Sequence, residues 1–202
     1  SLLAPEPVTV TAPATDAANR VTIRTSGAGT VYYAASLRYY DKPAAVDATG
    51  SRKLAIARTY SKLSSSQQNG RIVWQETPFS GAAKPGDVLL VRLTVAGSAD
   101  WRYLMLEDPL PAGAEPIERD EAYPVPSRQS LWFGSNRELR DDRVVFFQEA
   151  LVKGRQEFSY LLRVTSEGAF SAMPARVSPM YVPGVTASST VQPLTVTAEE
   201  TR

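Results

Sequence analysis

The sequence contains no cysteine and no histidine. Without cysteine the chain has no disulfide, no thiol nucleophile and no thiolate metal ligand. Without histidine it lacks the commonest general base near neutral pH, so Ser-His-Asp hydrolysis and histidine zinc sites cannot be built. None of the five lysines has a serine three residues before it, which removes the Ser-x-x-Lys dyad. Carboxylates remain, among them Glu107, Asp108, Glu115, Asp141 and Asp142, but no feature of the sequence pairs them for glycoside chemistry. The expectation is a non-enzymatic protein with no cofactor and no metal. Charge of one sign is also scarce: the net charge is +1 and acidic and basic residues are interspersed. That gives no electrostatic footprint for nucleic acid or for an anionic membrane surface. No run approaches the ~20 apolar residues of a membrane-spanning helix. Ser1-Leu2-Leu3-Ala4-Pro5 has neither the basic start nor the apolar length of a signal peptide, so any export signal is expected outside this stretch.

What the chain does have is period-2 alternation, with enough apolar residues for a sizeable core. Leu89, Val91, Leu93 and Val95 alternate with Arg92 and Thr94; Phe158, Tyr160, Leu162 and Val164 alternate with Ser159, Arg163 and Thr165. Leu194 and Val196 repeat the pattern near the end, and Val21–Arg24 and Thr30–Tyr33 are further candidates. Such stretches predict half-buried antiparallel strands. Residues 52–63 also read as strand. Asn69-Gly70 reads as a type I′ hairpin turn, and Pro85-Gly86-Asp87, Pro111-Ala112-Gly113, Lys153-Gly154 and Pro183-Gly184 mark other turns. Loops are expected over 43–50, 64–69 and 118–129. Short strands with regular turns predict an all-β, antiparallel immunoglobulin-like sandwich. The domain reading is a partial β unit over 1–52 and one sandwich over 53–202.

Three groups of residues stand apart. Gly27-Ala28-Gly29 lacks the third glycine and the following helix of a dinucleotide loop, and reads as a tight turn. Glu138, Arg140, Asp141, Asp142 and Arg143 form a dense charge group, either ion pairs fixing an interface or a solvated hairpin end. Asp141-Asp142 lacks the spaced oxygens of a calcium loop. Met180 and Tyr181 sit between Pro179 and Pro183. Two large apolar side chains so flanked predict a held loop, packed on the core edge or exposed for interaction.

The stretch Trp101-Arg102-Tyr103-Leu104-Met105-Leu106-Glu107-Asp108-Pro109-Leu110-Pro111-Ala112-Gly113 resembles a signature near the end of bacterial α2-macroglobulins. Pro85-Gly86-Asp87, Arg137–Val144, Tyr160–Arg163, Gly168-Ala169-Phe170, Pro174-Ala175 and Met180-Tyr181 follow the family's order, over roughly residues 54–202. Asn136 departs from the family by standing where a histidine is expected. The resemblance implies a large periplasmic protease trap in which bait cleavage changes the trap's shape and a thioester can tether the protease. It implies a terminal macroglobulin-type sandwich beside the thioester domain, with 1–52 as the end of a CUB-like unit or of a preceding sandwich. Met180 and Tyr181 are then candidates for interdomain packing and thioester shielding. Partners would be other domains of the parent chain and, through the whole protein, target proteases. A generic immunoglobulin-like adhesion or cell-surface module is the alternative.

Overall fold

The computed structural model describes residues 8–15, 19–38, 48–50, 53–125 and 134–198. The chain divides into two units, Ser1–Asp41 and Lys42–Arg202. In the first, the described residues are exposed and carry no strand, so Val21–Arg24 and Thr30–Tyr33 are not strands as expected. A strand is held by a ladder partner, and among the described residues of this unit no backbone hydrogen bond supplies one. The second unit already includes residue 49: Thr49 N–H donates to the Ser188 carbonyl at 3.0 Å and Ser188 N–H donates back at 2.8 Å.

This second unit is the expected all-β sandwich. Its first sheet places β1 (Leu54–Gln68) between β2 (Arg71–Pro78) and β4 (Val88–Gly97), followed by β9 (Gly154–Val164) and β6 (Ala114–Pro116). The second sheet runs β12 (Ala187–Ser188), β11 (Arg176–Pro179), β5 (Trp101–Pro109), β8 (Arg143–Leu151), β7 (Ser135–Leu139). A smaller sheet joins β10 (Gly168–Ala172), β13 (Gln192–Val196) and β3 (Ala82–Ala83), and only its β13–β3 pair is parallel.

The apolar sets expected from alternation face inward. Leu89, Val91, Leu93 and Val95 of β4 meet Leu104 and Leu106 of β5, Phe146 of β8, and Phe158 and Tyr160 of β9 in the main core. Leu194 and Val196 close it from the small sheet. Two expectations need correction. Ser64–Gln68 is strand rather than loop, because the β1–β2 ladder continues to Gln68 opposite Arg71. Asn69 and Gly70, with φ of 51° and 74°, make the two-residue turn that lets it close there. The central strands are also not half-buried throughout. Leu90 and Leu161 on their outer face are covered by Ile117, Tyr123 and Val125 from the crossover that follows β6. A 3₁₀ turn at Asp120–Ala122 lies in that crossover, and Arg137 on β7 reaches Asp120 at 2.7 Å. Residues 43–47 and 126–129 of the expected loops lie outside the described residues.

Candidate functional site

On β1 the inward positions read Leu54, Ile56, Arg58, Tyr60; on β5 they read Leu104, Leu106, Asp108. One cation and one anion therefore point into the core from opposite sheets. Arg58 Nη1 donates to Asp108 Oδ1 at 2.5 Å, and both side chains are fully out of solvent. The remaining polar valences are filled. Tyr160 Oη donates to Asp108 Oδ2 at 2.8 Å. The Arg58 guanidinium donates to the Met173 and Ala172 carbonyls, each at 2.8 Å, and more weakly to Gln192 Oε1 at 3.4 Å. It also stands 5.5 Å from the Tyr60 ring centroid, a cation–π contact.

Burial raises the Asp108 carboxyl above its ordinary range, and Arg58 and Tyr160 pull it part of the way back. Burial alone would lower Arg58, but the Asp108 charge and hydrogen bond carry it above its usual value. Burial likewise raises the Tyr60 and Tyr160 hydroxyls, with Asp108 adding to both. A buried pair of this kind fixes geometry more than it adds net stability. Here it ties β5, through Arg58 on β1, to the end of β10 and the start of the link to β11, at the carbonyls of Ala172 and Met173.

That segment leads into β11, which pairs with β5 from Arg176 opposite Glu107 to Pro179 opposite Leu104. Beyond β11 comes the turn carrying Met180 and Tyr181, which are 48% and 73% exposed. Val182 and, on β5, Tyr103 are exposed as well, at 44% and 46%. The Tyr103 and Tyr181 rings meet edge to face, 5.5 Å between centroids. A groove of ≈ 370 Å³ lined by Glu107, Arg176, Pro179 and Pro183 runs beside the turn. The turn thus presents a group of exposed apolar and aromatic side chains, Tyr103, Met180, Tyr181 and Val182.

The charge group lies elsewhere, at the β7–β8 hairpin. Arg140 pairs with Glu138 at 2.6 Å, and Arg143 with Asp142 at 2.7 Å and with Glu107 at 3.0 Å. The hydrogen bond from Arg143 holds Asp142 below the usual carboxylate range. Asp141 takes part in none of the ion pairs found among the described residues and is exposed. The group is exposed at the hairpin end in the isolated chain, and the Arg143–Glu107 pair joins it to the groove beside the Met180 turn. Among the described residues no cluster of acidic side chains could hold a metal.

Reasoning from the sequence missed Arg58, Tyr103 and the structural role of Asp108. The signal was present for two of them: a lone charge on the apolar face of each of two strands, of opposite sign.

The antiparallel sandwich, whose sheets are joined by a buried ion pair, is a macroglobulin-type β-sandwich domain. The chain belongs to the bacterial alpha-2-macroglobulin MG10 domain family, which residues 54–184 match. It is 36% identical over 109 residues to the alpha-2-macroglobulin of Thermotoga maritima, covering 50% of this chain and 7% of that protein. It is 25% identical over 174 residues to an alpha-2-macroglobulin homolog of Nostoc sp., covering 81% of this chain and 9% of that protein. The chain therefore spans less than a tenth of these relatives. Among solved structures, Escherichia coli alpha-2-macroglobulin activated by porcine elastase aligns with a TM-score of 0.59 and 23% identity, over 73% of this chain and 13% of that one. Salmonella alpha-2-macroglobulin reacted with methylamine aligns with a TM-score of 0.56 and 22% identity, over 74% and 9%. At that identity the likeness establishes the fold.

Proposed function

We propose that this chain is a non-catalytic terminal part of a bacterial protease trap, and that its Met180–Tyr181 turn packs against another domain of the parent and shields a thioester there. The observation that carries this reading is the exposure of Met180 and Tyr181 on a turn rooted in a rigid sheet. A thioester survives only while water is kept from it. Met fills irregular gaps, and Tyr brings rigid area with one polar handle. Pro179 and Pro183 limit the freedom of the turn and so reduce the entropy lost on docking. In a parent without a thioester the same pair serves as interdomain packing.

The rest of the reading follows from the family. The absence of cysteine and histidine fits a part that takes no catalytic role, and puts any thioester cysteine in another part of the parent. One relative, the alpha-2-macroglobulin of Escherichia coli, is described as activated by trypsin and by porcine elastase, which supports a protease partner for the whole protein. The assignment of 1–52 to the end of a CUB-like unit, or of a preceding sandwich, rests on the resemblance to the family alone. The compartment proposed with this role is the periplasm.

The test is the double substitution Met180→Ala, Tyr181→Ala in a thioester-bearing parent. Thioester loss, followed by release of the free thiol, should accelerate while the melting temperature of this chain stays unchanged. An unaltered thioester lifetime with an intact fold would refute the shielding role.

A further inference from the structure

Tyr103 is one of two non-glycine residues with positive φ among the described residues; the other, Asn69, sits in a hairpin turn suited to it. Tyr103 instead lies inside β5, with φ of 55°. An aromatic L-residue pays for that conformation, because its Cβ crowds the following carbonyl, and it persists only where the surroundings over-determine it. The β5–β8 ladder pairs Arg102 with Ala150 and Leu104 with Gln148 but leaves Tyr103 out. Its partners lie on the other side. The Tyr103 carbonyl accepts from Met180 N–H at 2.8 Å, and its ring packs on Tyr181 at an interplanar angle of 84°.

That bond has particular importance because Pro179, the last residue of β11, has no N–H to give. Met180 N–H is therefore the first donor past the end of β11 that can tie the turn to the sheet. The Tyr103 carbonyl receives it, and the Tyr103 ring braces the next side chain.

We infer that Tyr103 is the positioning residue of the Met180–Tyr181 turn. Its left-handed backbone aims the carbonyl at Met180, and its ring fixes the attitude of Tyr181, so the pair is presented preformed. The inference deepens the proposed function and rests on that reading for its purpose, though not for its geometry. Preforming the turn removes ordering cost from docking.

The two contributions separate by substitution in the 202-residue chain. Amide exchange at Met180 reports the hydrogen bond, Tyr181 ring chemical shifts report the stacking, and the melting temperature controls for folding. Tyr103→Phe should leave both reporters unchanged, since the hydroxyl takes no part in either contact. Tyr103→Ala keeps the backbone penalty and loses the brace, so the backbone relaxes. Met180 exchange should rise about tenfold, the scale of one hydrogen bond, and the Tyr181 ring shifts should move to unstacked values. Tyr103→Gly removes penalty and brace together: Met180 should stay protected while the Tyr181 shifts still move. Tyr181 shifts unchanged in both Tyr103→Ala and Tyr103→Gly would overturn the inference, as would unchanged Met180 exchange in a folded Tyr103→Ala. Should Tyr103→Ala not fold, the strain-free glycine variant decides on the ring shifts alone. If these reporters respond as expected but Met180→Ala, Tyr181→Ala leaves the thioester lifetime of the parent unaltered, the shielding reading fails and the positioning role stands.

Discussion

Arg58 on β1 and Asp108 on β5 join the two sheets through a 2.5 Å ion pair with no solvent-exposed side-chain surface on either partner. Removing one partner strands the other as an uncompensated buried charge. Arg58→Ala or Asp108→Ala should each cost about 3–5 kcal/mol in urea unfolding. The double replacement Arg58→Met, Asp108→Leu should cost much less than the sum of the two, because no charge is left behind. Additive losses would mean that the pair is not coupled as described.

The two tyrosines at this pair should respond differently to loss of a hydroxyl. Tyr160 donates to Asp108 at 2.8 Å, whereas the buried Tyr60 hydroxyl has no hydrogen-bond partner among the described residues. Tyr160→Phe should cost about 1.5–3 kcal/mol, the value of a bond to a charged acceptor. Tyr60→Phe keeps the ring beside Arg58 and should change stability by less than about 1 kcal/mol. Chemical denaturation of the two single variants compares them directly.

Alkaline pH should weaken the fold through the same residues. Tyr60 and Tyr160 are raised in the folded chain above the 10.0 of an exposed tyrosine. A group with a raised folded pKa contributes stability that is fully present below its unfolded value and is lost as pH climbs toward the folded value. From pH 10 upward the unfolded chain therefore releases these protons first. Each tyrosine should remove about 1.4 kcal/mol per pH unit there. Unfolding free energies measured at pH 9, 10 and 11 should show a slope that Tyr60→Phe reduces.

Gly113 ends the Pro-Ala-Gly turn, and a Cβ added to it would overlap the Phe170 ring. Phe170 is rooted in β10 and packs on the main core, so it has little room to yield. Gly113→Ala should cost about 1–3 kcal/mol, the range for overpacking. Gly70→Ala meets no neighbour and should lose only the smaller penalty of its positive φ, 74°. Thermal melts of both variants give the comparison.

Much of this architecture was legible in the residues. Alternation located β4 and β9 because their inward faces are uninterrupted, and Asn69-Gly70 located a hairpin because both residues accept positive φ. Ser64–Gln68 misled because serine and glutamine carry no apolar alternation; the ladder there is held by the turn beyond it. Val21–Arg24 misled in the opposite way: the pattern is present but no ladder partner lies beside it among the described residues. At the site, Met180 and Tyr181 stood out by their flanking prolines. Arg58 and Asp108 each showed as a lone charge on an apolar strand face, but their pairing was hidden, because it depends on the packing of two sheets and joins positions 50 apart in sequence. Tyr103 was hidden because nothing in the sequence marks a left-handed tyrosine inside a strand.

The central claim is that another domain of the parent covers the Met180–Tyr181 surface. Hydroxyl-radical footprinting reads this directly, because both side chains react when solvent reaches them. In the isolated chain Met180 and Tyr181 should be modified readily, matching their exposure of 48% and 73%. In the full-length parent before protease attack, modification of both should be strongly suppressed, while exposed Val152 on the β8–β9 hairpin reacts as before. Equal modification of Met180 and Tyr181 in the two settings would contradict the account.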